Sequence, residues 1–167
     1  MLKINIFDLE FNCEYFYIHS NSIVEKINFN NRIFYSKYKK IITPLTPILL
    51  KQHQNHEIHL ALPLIEENRV NYLVIEYGQE DWKAFYALVK NLLKNLNIKL
   101  YFSYRDEKMM LLQIFIPKDS VDINIAYKEV ENIKYLLNLK LKKSYKIFPN
   151  SNLPKNYNII TLPRTKI

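Results

Sequence analysis

Apolar and polar positions follow two different periods along this chain, and the changes of period mark its elements. Leu73-Val74-Ile75 is a short apolar run that stops at Glu76-Tyr77-Gly78. Its β-branched content predicts a strand, and Gly78, the only glycine, predicts a tight turn after it. From Asp81 onward, Trp82, Phe85, Tyr86, Val89, Leu92, Leu93 and Leu96 recur at helical spacing, with lysines and asparagines between them. Ile98 to Tyr104 and Met109 to Ile116 read as two strands joined by the polar turn Arg105-Asp106-Glu107-Lys108. Ser120 is placed to cap a second helix, with Ala126, Val130, Ile133, Leu136 and Leu137 as its apolar stripe. Tyr145 to Phe148 and Ile159 to Leu162 then return to the sheet.

Ahead of this stretch, Tyr15 to Ile18, Ile23 to Phe29 and Arg32 to Tyr35 read as short strands. Asn30-Asn31 is a hairpin turn, because asparagine tolerates positive φ. Thr43-Pro44-Leu45-Thr46-Pro47 is a break. Thr46 as N-cap with Pro47 in the first turn starts a helix that runs to about His53. Ile58 to Leu64 is a strand, and Pro63 places it at an edge or an end.

Strand, helix, strand, strand, helix, strand is the order of a split βαβ, the ferredoxin-like or RNA-recognition-motif layout. The expected class is therefore α+β. Residues 1–43 form an N-terminal β-rich extension and residues 44–167 the main unit, together one compact globule.

Composition narrows the partners. The chain has 167 residues, a net charge of +8 and an isoelectric point near 9.4. That balance favours an acidic partner such as nucleic acid, DNA or RNA, or anionic lipid. Cys13 stands alone, which excludes an internal disulfide and any multi-cysteine zinc site; it is expected half-buried. The first ten residues carry Asp8 and Glu10 and do not read as a signal peptide. No stretch approaches the ~20 apolar residues that span a bilayer. A cytoplasmic protein with no membrane partner is expected.

Sites of familiar chemistry are few. His53, His56 and His59 are spaced three apart, but Asn55 interrupts the segment and Ile58-His59-Leu60 looks extended, so a shared metal is set aside. A single glycine excludes a glycine-rich phosphate loop, and no nucleophile elbow, zinc-protease helix or kinase motif set is present. No metal and no cofactor are expected. Lys37, Lys39 and Lys40 with Tyr38 form one basic cluster, read as a solvated strand end. Lys134, Lys140, Lys142, Lys143 and Lys146 form a second, interleaved with Tyr135 and Tyr145, and Lys155, Arg164 and Lys166 follow in a tail expected to be mobile beyond Pro163.

Four stretches in the last three-quarters of the chain carry a resemblance. They are Leu45-Thr46-Pro47 to His53 with Leu62-Pro63-Leu64; Leu73 to Gly78; Ser103 to Ile116; and Phe148-Pro149-Asn150-Ser151-Asn152-Leu153-Pro154 followed by Ile160 to Pro163. In order and spacing they resemble the archaeo-eukaryotic primase and primase-polymerase superfamily, closest to the helicase-associated domains of bacterial conflict and mobile elements. The resemblance implies a metal site built from two aspartates one residue apart and a later aspartate, with a histidine on the nucleotide phosphates. In this chain the first acid is Glu76, the second position falls on Tyr77 or Gly78, the histidine position falls near Leu111, and the last aspartate is Asn152. One glutamate and a neutral amide do not offset two divalent ions. The resemblance therefore implies an inherited fold without the polymerase chemistry and without catalytic residues.

Alternation along the strands predicts which side chains share a face. With Leu73 and Ile75 toward the helices, Tyr72, Val74 and Glu76 face away; with Leu100 and Phe102 inside, Tyr101, Ser103 and Arg105 join them; with Leu112 and Ile114 inside, so do Leu111, Gln113 and Phe115. At least part of this face is expected to be buried. The expected function is non-catalytic nucleic-acid binding, with Arg105, Lys140, Lys142, Lys143 and Lys146 on phosphates and Tyr101 or Phe115 stacking on bases. Two alternatives stay open: a protein-interaction module, and a residual single-metal nucleotidyl transferase or nuclease using Glu76.

Overall fold

A computed structural model describes residues 2–167; the side chains of Leu2 and Cys13, and with the latter the half-buried cysteine expected above, lie outside the described part. The protein is α+β, with several antiparallel sheets and three α-helices. The chain divides into two compact units, Met1–Glu66 with Ser151–Arg164, and Glu67–Asn150 with Thr165–Ile167. The division drawn from sequence fell at residues 43 and 44, at the Pro-rich break. The break is real, but β7 beyond it pairs with β3 before it, which keeps both sides in one unit.

In the first unit, β1 (Leu2–Ile6) and β2 (Leu9–Cys13) form a hairpin, and so do β4 (Glu25–Phe29) and β5 (Arg32–Ser36). The second hairpin turns at Asn30 and Asn31, with φ of 49° and 61°, as the asparagine pair predicts. A separate sheet runs β13-β7-β3-β6, from Ile159–Thr161, Leu60–Pro63, Phe16–His19 and Tyr38–Ile41. Helix α1 (Pro47–Gln54) is capped by Thr46, whose side chain accepts the Leu49 amide at 3.3 Å. A short strand β8 (Ile65–Glu66) ends this part of the chain. Ile159 to Leu162, expected in the same sheet as Leu73 to Ile75, instead pairs with β7 in this unit, Ile160 opposite Leu62.

The second unit is built on β9 (Arg69–Tyr77), α2 (Trp82–Asn95), β10 (Phe102–Asp106), β11 (Leu111–Asp122), α3 (Ile123–Asn138) and β12 (Lys146–Phe148). Its sheet runs β10-β11-β9-β12 with every neighbour antiparallel. Strands β9 and β10 are thus parallel with β11 between them, and β11 and β12 are parallel with β9 between them. That is the split βαβ expected from the element order. Phe85, Val89, Leu92 and Leu93 of α2 and Ala126, Val130, Ile133 and Leu137 of α3 are the buried stripes. The Phe85 ring lies flat on Tyr77 of β9, with centroids 4.0 Å apart.

Three local expectations are corrected. Strand β11 does not stop at Ile116; it continues through a register shift after Pro117 to Asp122. Asp122, not Ser120, caps α3, accepting the Asn124 amide at 2.8 Å. Ser120 sits in the irregular stretch at φ 45° and receives the Arg69 guanidinium on its hydroxyl and its carbonyl. Gly78 does not have a positive φ, and a Cβ there would meet only the Met110 carbonyl at 3.8 Å. Among the described residues, four of the nine left-handed positions fall on asparagines, Asn30, Asn31, Asn68 and Asn97.

Candidate nucleic-acid interface

Strand directions bring several loops of the second unit to one end of its sheet. Because β9 and β10 are parallel, their carboxyl ends, the amino end of α2 and the Glu107 to Met110 turn lie together. Strand β12 is antiparallel to β9, so it begins at that same end, preceded by the loop from Leu139 to Tyr145. Lys140, Lys142, Lys143 and Lys146 are all exposed there. No aspartate or glutamate follows Glu131 in the chain, so the loop supplies no acid of its own to offset them. Tyr145 fixes the loop to α3: its hydroxyl lies 2.6 Å from Asn138 Oδ1 and 3.2 Å from the Lys134 carbonyl.

One of these lysines has a fixed partner. Lys143 pairs with Asp81 Oδ2, while Asp81 Oδ1 accepts the Tyr77 hydroxyl at 2.6 Å. Both contacts hold the Asp81 carboxyl below the usual carboxylate range. Asp81 is the N-cap residue of α2, yet its side chain makes no cap bond, because both oxygens are turned to Lys143 and Tyr77. From sequence Asp81 marks only the start of a helix; the spacing Tyr77-x-x-x-Asp81 across a strand–helix junction is the signal for its second role.

Cross-strand register sorts the remaining candidates. Tyr104, Gln113, Glu76 and Lys146 form one lateral row over β10, β11, β9 and β12, and Phe102, Phe115, Val74 and Phe148 form the next. This face is largely closed. Phe115 has 0% exposure and stands edge-to-face with Tyr72 and Tyr104, and Gln113 is buried too, whereas Leu111 is half-buried. Phe115 is therefore core and does not stack on bases. The Glu76 side chain makes no hydrogen bond or ion pair among the described residues; desolvation pushes its carboxyl up to about 7, and Lys146 opposes the shift.

Arg105 lies on the other face. It is opposite Leu112, and Ser103 opposite Ile114, which puts both toward the helices. The expected phase was off by one residue because β10 begins at Phe102 and Leu100, 58% exposed, is outside it. Only 4% of Arg105 is exposed, so it is not an open surface contact. Its guanidinium carbon is 5.0 Å from the ring centroid of Trp82, the first residue of α2, and its Nε is 3.5 Å from Glu107. Nε, Nη1 and the buried Ser103 hydroxyl have no hydrogen-bond partner. Tyr101 precedes β10 and is half-buried, with its phenol pushed up by burial and by Tyr86. The tail is not loose: the Arg105 amide donates to the Thr165 carbonyl at 2.8 Å and the Ile167 amide to the Ser103 carbonyl at 3.1 Å.

Of the positions matched to the metal motif, only Glu76 is an acid. Glu76 lies next to the last residue of β9, Gly78 follows that strand, Leu111 starts β11, and Asn152 belongs to the first unit. Among the described residues no group of three or more His, Cys, Asp or Glu could hold a metal ion. The histidines of the first unit serve packing. His53 is fully buried; its Nδ1 accepts the Leu60 amide at 3.0 Å, which leaves Nε2–H to donate to the Leu162 carbonyl at 2.9 Å. Arg164 wraps the same turn, donating to the carbonyls of His53 and Ile58 and reaching His59 Nδ1 at 2.9 Å. A pocket of about 370 Å³ beside this turn is lined by Ile6, Phe7, Leu50 and Leu162 among others. Lys37 and Lys39 are exposed on and before the edge strand β6, and Lys40 lies over the Tyr15 ring at 3.8 Å.

The fold and this end of the sheet define an α+β protein with a basic loop at the edge of a split βαβ. Residues 2–71 match the model of a family described as a domain of unknown function, DUF1882. Comparison with curated proteins gives no match. Among the described residues no helix is long and apolar enough to cross a membrane.

Proposed function

We propose that the chain binds nucleic acid without extending it, and that its second unit is a primase-polymerase-like fold whose metal site has degenerated. The observation that carries the reading is the exposed segment Lys140 to Lys146, four lysines with no acid after Glu131 and only Lys143 tied to a carboxylate. Phosphate groups are the partner such a segment suits, since each contact releases condensed counterions. The split βαβ order and the lone Glu76 at the end of β9 support the kinship and the lost chemistry together. Lys140, Lys142 and Lys146 carry the surface contacts in this reading; Arg105 and Phe115 do not.

The test replaces Lys140, Lys142 and Lys146 together with alanine and measures oligonucleotide anisotropy. A loss of about tenfold or more at low salt, with a shallower salt slope, is expected. Unchanged affinity would remove the loop from the interface. One observation favours a protein-interaction role instead: Ile33 and Tyr35 on the β4–β5 hairpin are each more than half exposed. That reading predicts a defined oligomer or partner and no salt-dependent binding of DNA or RNA.

A further inference from the structure

The β4–β5 hairpin of the first unit is a ribbon of two strands, with no third strand on either side among the described residues. Its register sorts the side chains. Glu25 and Ser36, Ile27 and Phe34, and Phe29 and Arg32 stand opposite one another and share one face. Lys26 opposite Tyr35 and Asn28 opposite Ile33 share the other. The first face is partly closed: Ile27, Phe29, Phe34 and Ser36 are half-buried. Phe29 and Phe34 meet edge to face there with centroids 6.3 Å apart, and the Arg32 guanidinium lies 5.3 Å from the Phe34 centroid. The second face is open along its length, with Lys26, Asn28, Ile33 and Tyr35 all exposed.

Antiparallel strands with one solvated face ordinarily alternate apolar inside and polar outside. Ile33 and Tyr35 depart from that pattern on the open face. Its other two members are donors, the Lys26 ammonium and the Asn28 amide, and neither has a side-chain hydrogen bond or ion pair among the described residues. The one acid of the hairpin, Glu25, belongs to the opposite face. From Glu25 to Lys40 the chain carries five basic residues, Lys26, Arg32, Lys37, Lys39 and Lys40, against that one acid. A second copy of this face would bring like charges together. The complementary surface is negatively charged, rich in acceptors and set with small apolar groups. The major groove of B-DNA has all three properties: purine N7, guanine O6 and thymine O4 acceptors, thymine methyl groups, and phosphates along both walls. That groove is about 12 Å wide and admits a two-stranded β-ribbon. Strands of five residues make a ribbon about 17 Å long.

We propose that the β4–β5 ribbon enters the major groove of double-stranded DNA with its open face toward the bases. This inference rests on the nucleic-acid reading and names its substrate class, duplex DNA, together with a base-reading element in the first unit. In the groove Lys26 donates to purine N7 or guanine O6, Asn28 pairs with an adenine edge, and Ile33 packs on thymine methyl groups. Arg32 at the turn and Lys37 after β5 take phosphates, which position the ribbon without reading sequence. Duplex RNA does not fit, because its major groove is too deep and narrow for side chains to read.

The full chain is titrated against three labelled duplexes of one mixed sequence: DNA, the same DNA with uracil in place of every thymine, and RNA. Anisotropy at a single salt concentration should show the DNA bound about tenfold or more tighter than the RNA. It should also be bound about fourfold or more tighter than the uracil duplex, the factor for one buried methyl group. Ile33→Ala, at an exposed position, should erase the difference between thymine and uracil. Asn28→Ala should weaken DNA binding about fivefold or more with the salt slope unchanged, because no phosphate contact is lost. Equal affinity of the parent protein for the DNA and RNA duplexes, or for the thymine and uracil duplexes, overturns the ribbon whether or not the variants fold. So does a thymine effect that survives in folded Ile33→Ala. Salt-dependent binding of any nucleic acid alongside those results rejects the ribbon and leaves the nucleic-acid reading standing. No binding to any duplex or single strand rejects both, and an oligomer of the parent that Ile33→Ala dissociates would then assign the open face to a protein contact.

Discussion

At the scale of single residues, two titratable groups, the half-buried Glu76 and the buried His53, set opposite demands on pH. The Glu76 carboxyl is raised from 4.5 to about 7, so the folded protein holds its proton more tightly than the unfolded chain does. Its contribution is most favourable below about pH 4.5 and is lost as pH rises through 7. Glu76→Gln, which cannot ionise, should match the parent near pH 4.5 and exceed it by about 2 kcal/mol at pH 8, by urea denaturation. An equal difference at both pH values would show that Glu76 does not titrate in this range. His53 is lowered from 6.5 to about 4, chiefly by burial. Being a base with a depressed value, it contributes fully above pH 6.5 and loses that contribution as pH falls toward 4. His53→Ala removes the partners of the Leu60 amide and the Leu162 carbonyl and should destabilise the fold by about 2–4 kcal/mol at pH 7, by the same method. Histidine spacing alone could not show this role. His53, His56 and His59 share a sequence interval with metal ligands, and only the position of Leu60, Leu162 and Arg164 reveals a hydrogen-bonded core residue.

Elements were more legible than residues, for a definite reason. Helix α2 was readable because Phe85, Val89, Leu92 and Leu93 repeat at helical spacing over about two turns, and α1 because Thr46-Pro47 is a start signal with its own mechanism. Thr46→Ala should therefore cost about 1 kcal/mol in chemical denaturation, and a change within error would mean that the 3.3 Å cap bond contributes nothing. Phe85→Ala, which empties the stack on Tyr77, should cost about 3–5 kcal/mol by the same method. Strands were read with their partners but not always with their phase. A strand's period of two turns a one-residue error in its start into a change of face, and that moved Ser103 and Arg105 from the outer face to the helix face. Strand β11 was cut short at Pro117 because proline reads as a breaker, while the irregular stretch before Val121 lets the strand continue. Leu2, Ile4, Ile6, Leu9 and Phe11 alternate clearly enough to announce the first hairpin, which the sequence reading passed over.

For the whole molecule, the α+β class and the split βαβ followed from element order, since few arrangements bury two amphipathic helices on four strands. The assignment of Ile159 to Thr161 did not follow, because a three-residue apolar strand fits either sheet and only its partner decides. The lysine loop was visible as charge density, while its position beside the α2 amino end required the strand directions. A basic loop that serves only solubility and one that neutralises phosphates have the same composition but different salt dependence. The decisive measurement is anisotropy of labelled single- and double-stranded oligonucleotides with the full chain across a salt series. Affinity that falls steeply and linearly in log–log form as salt rises, with a slope reduced by about two to three on replacing Lys140, Lys142 and Lys146, is the predicted result. No binding at low salt would contradict the account and leave the exposed lysines as a solvated surface.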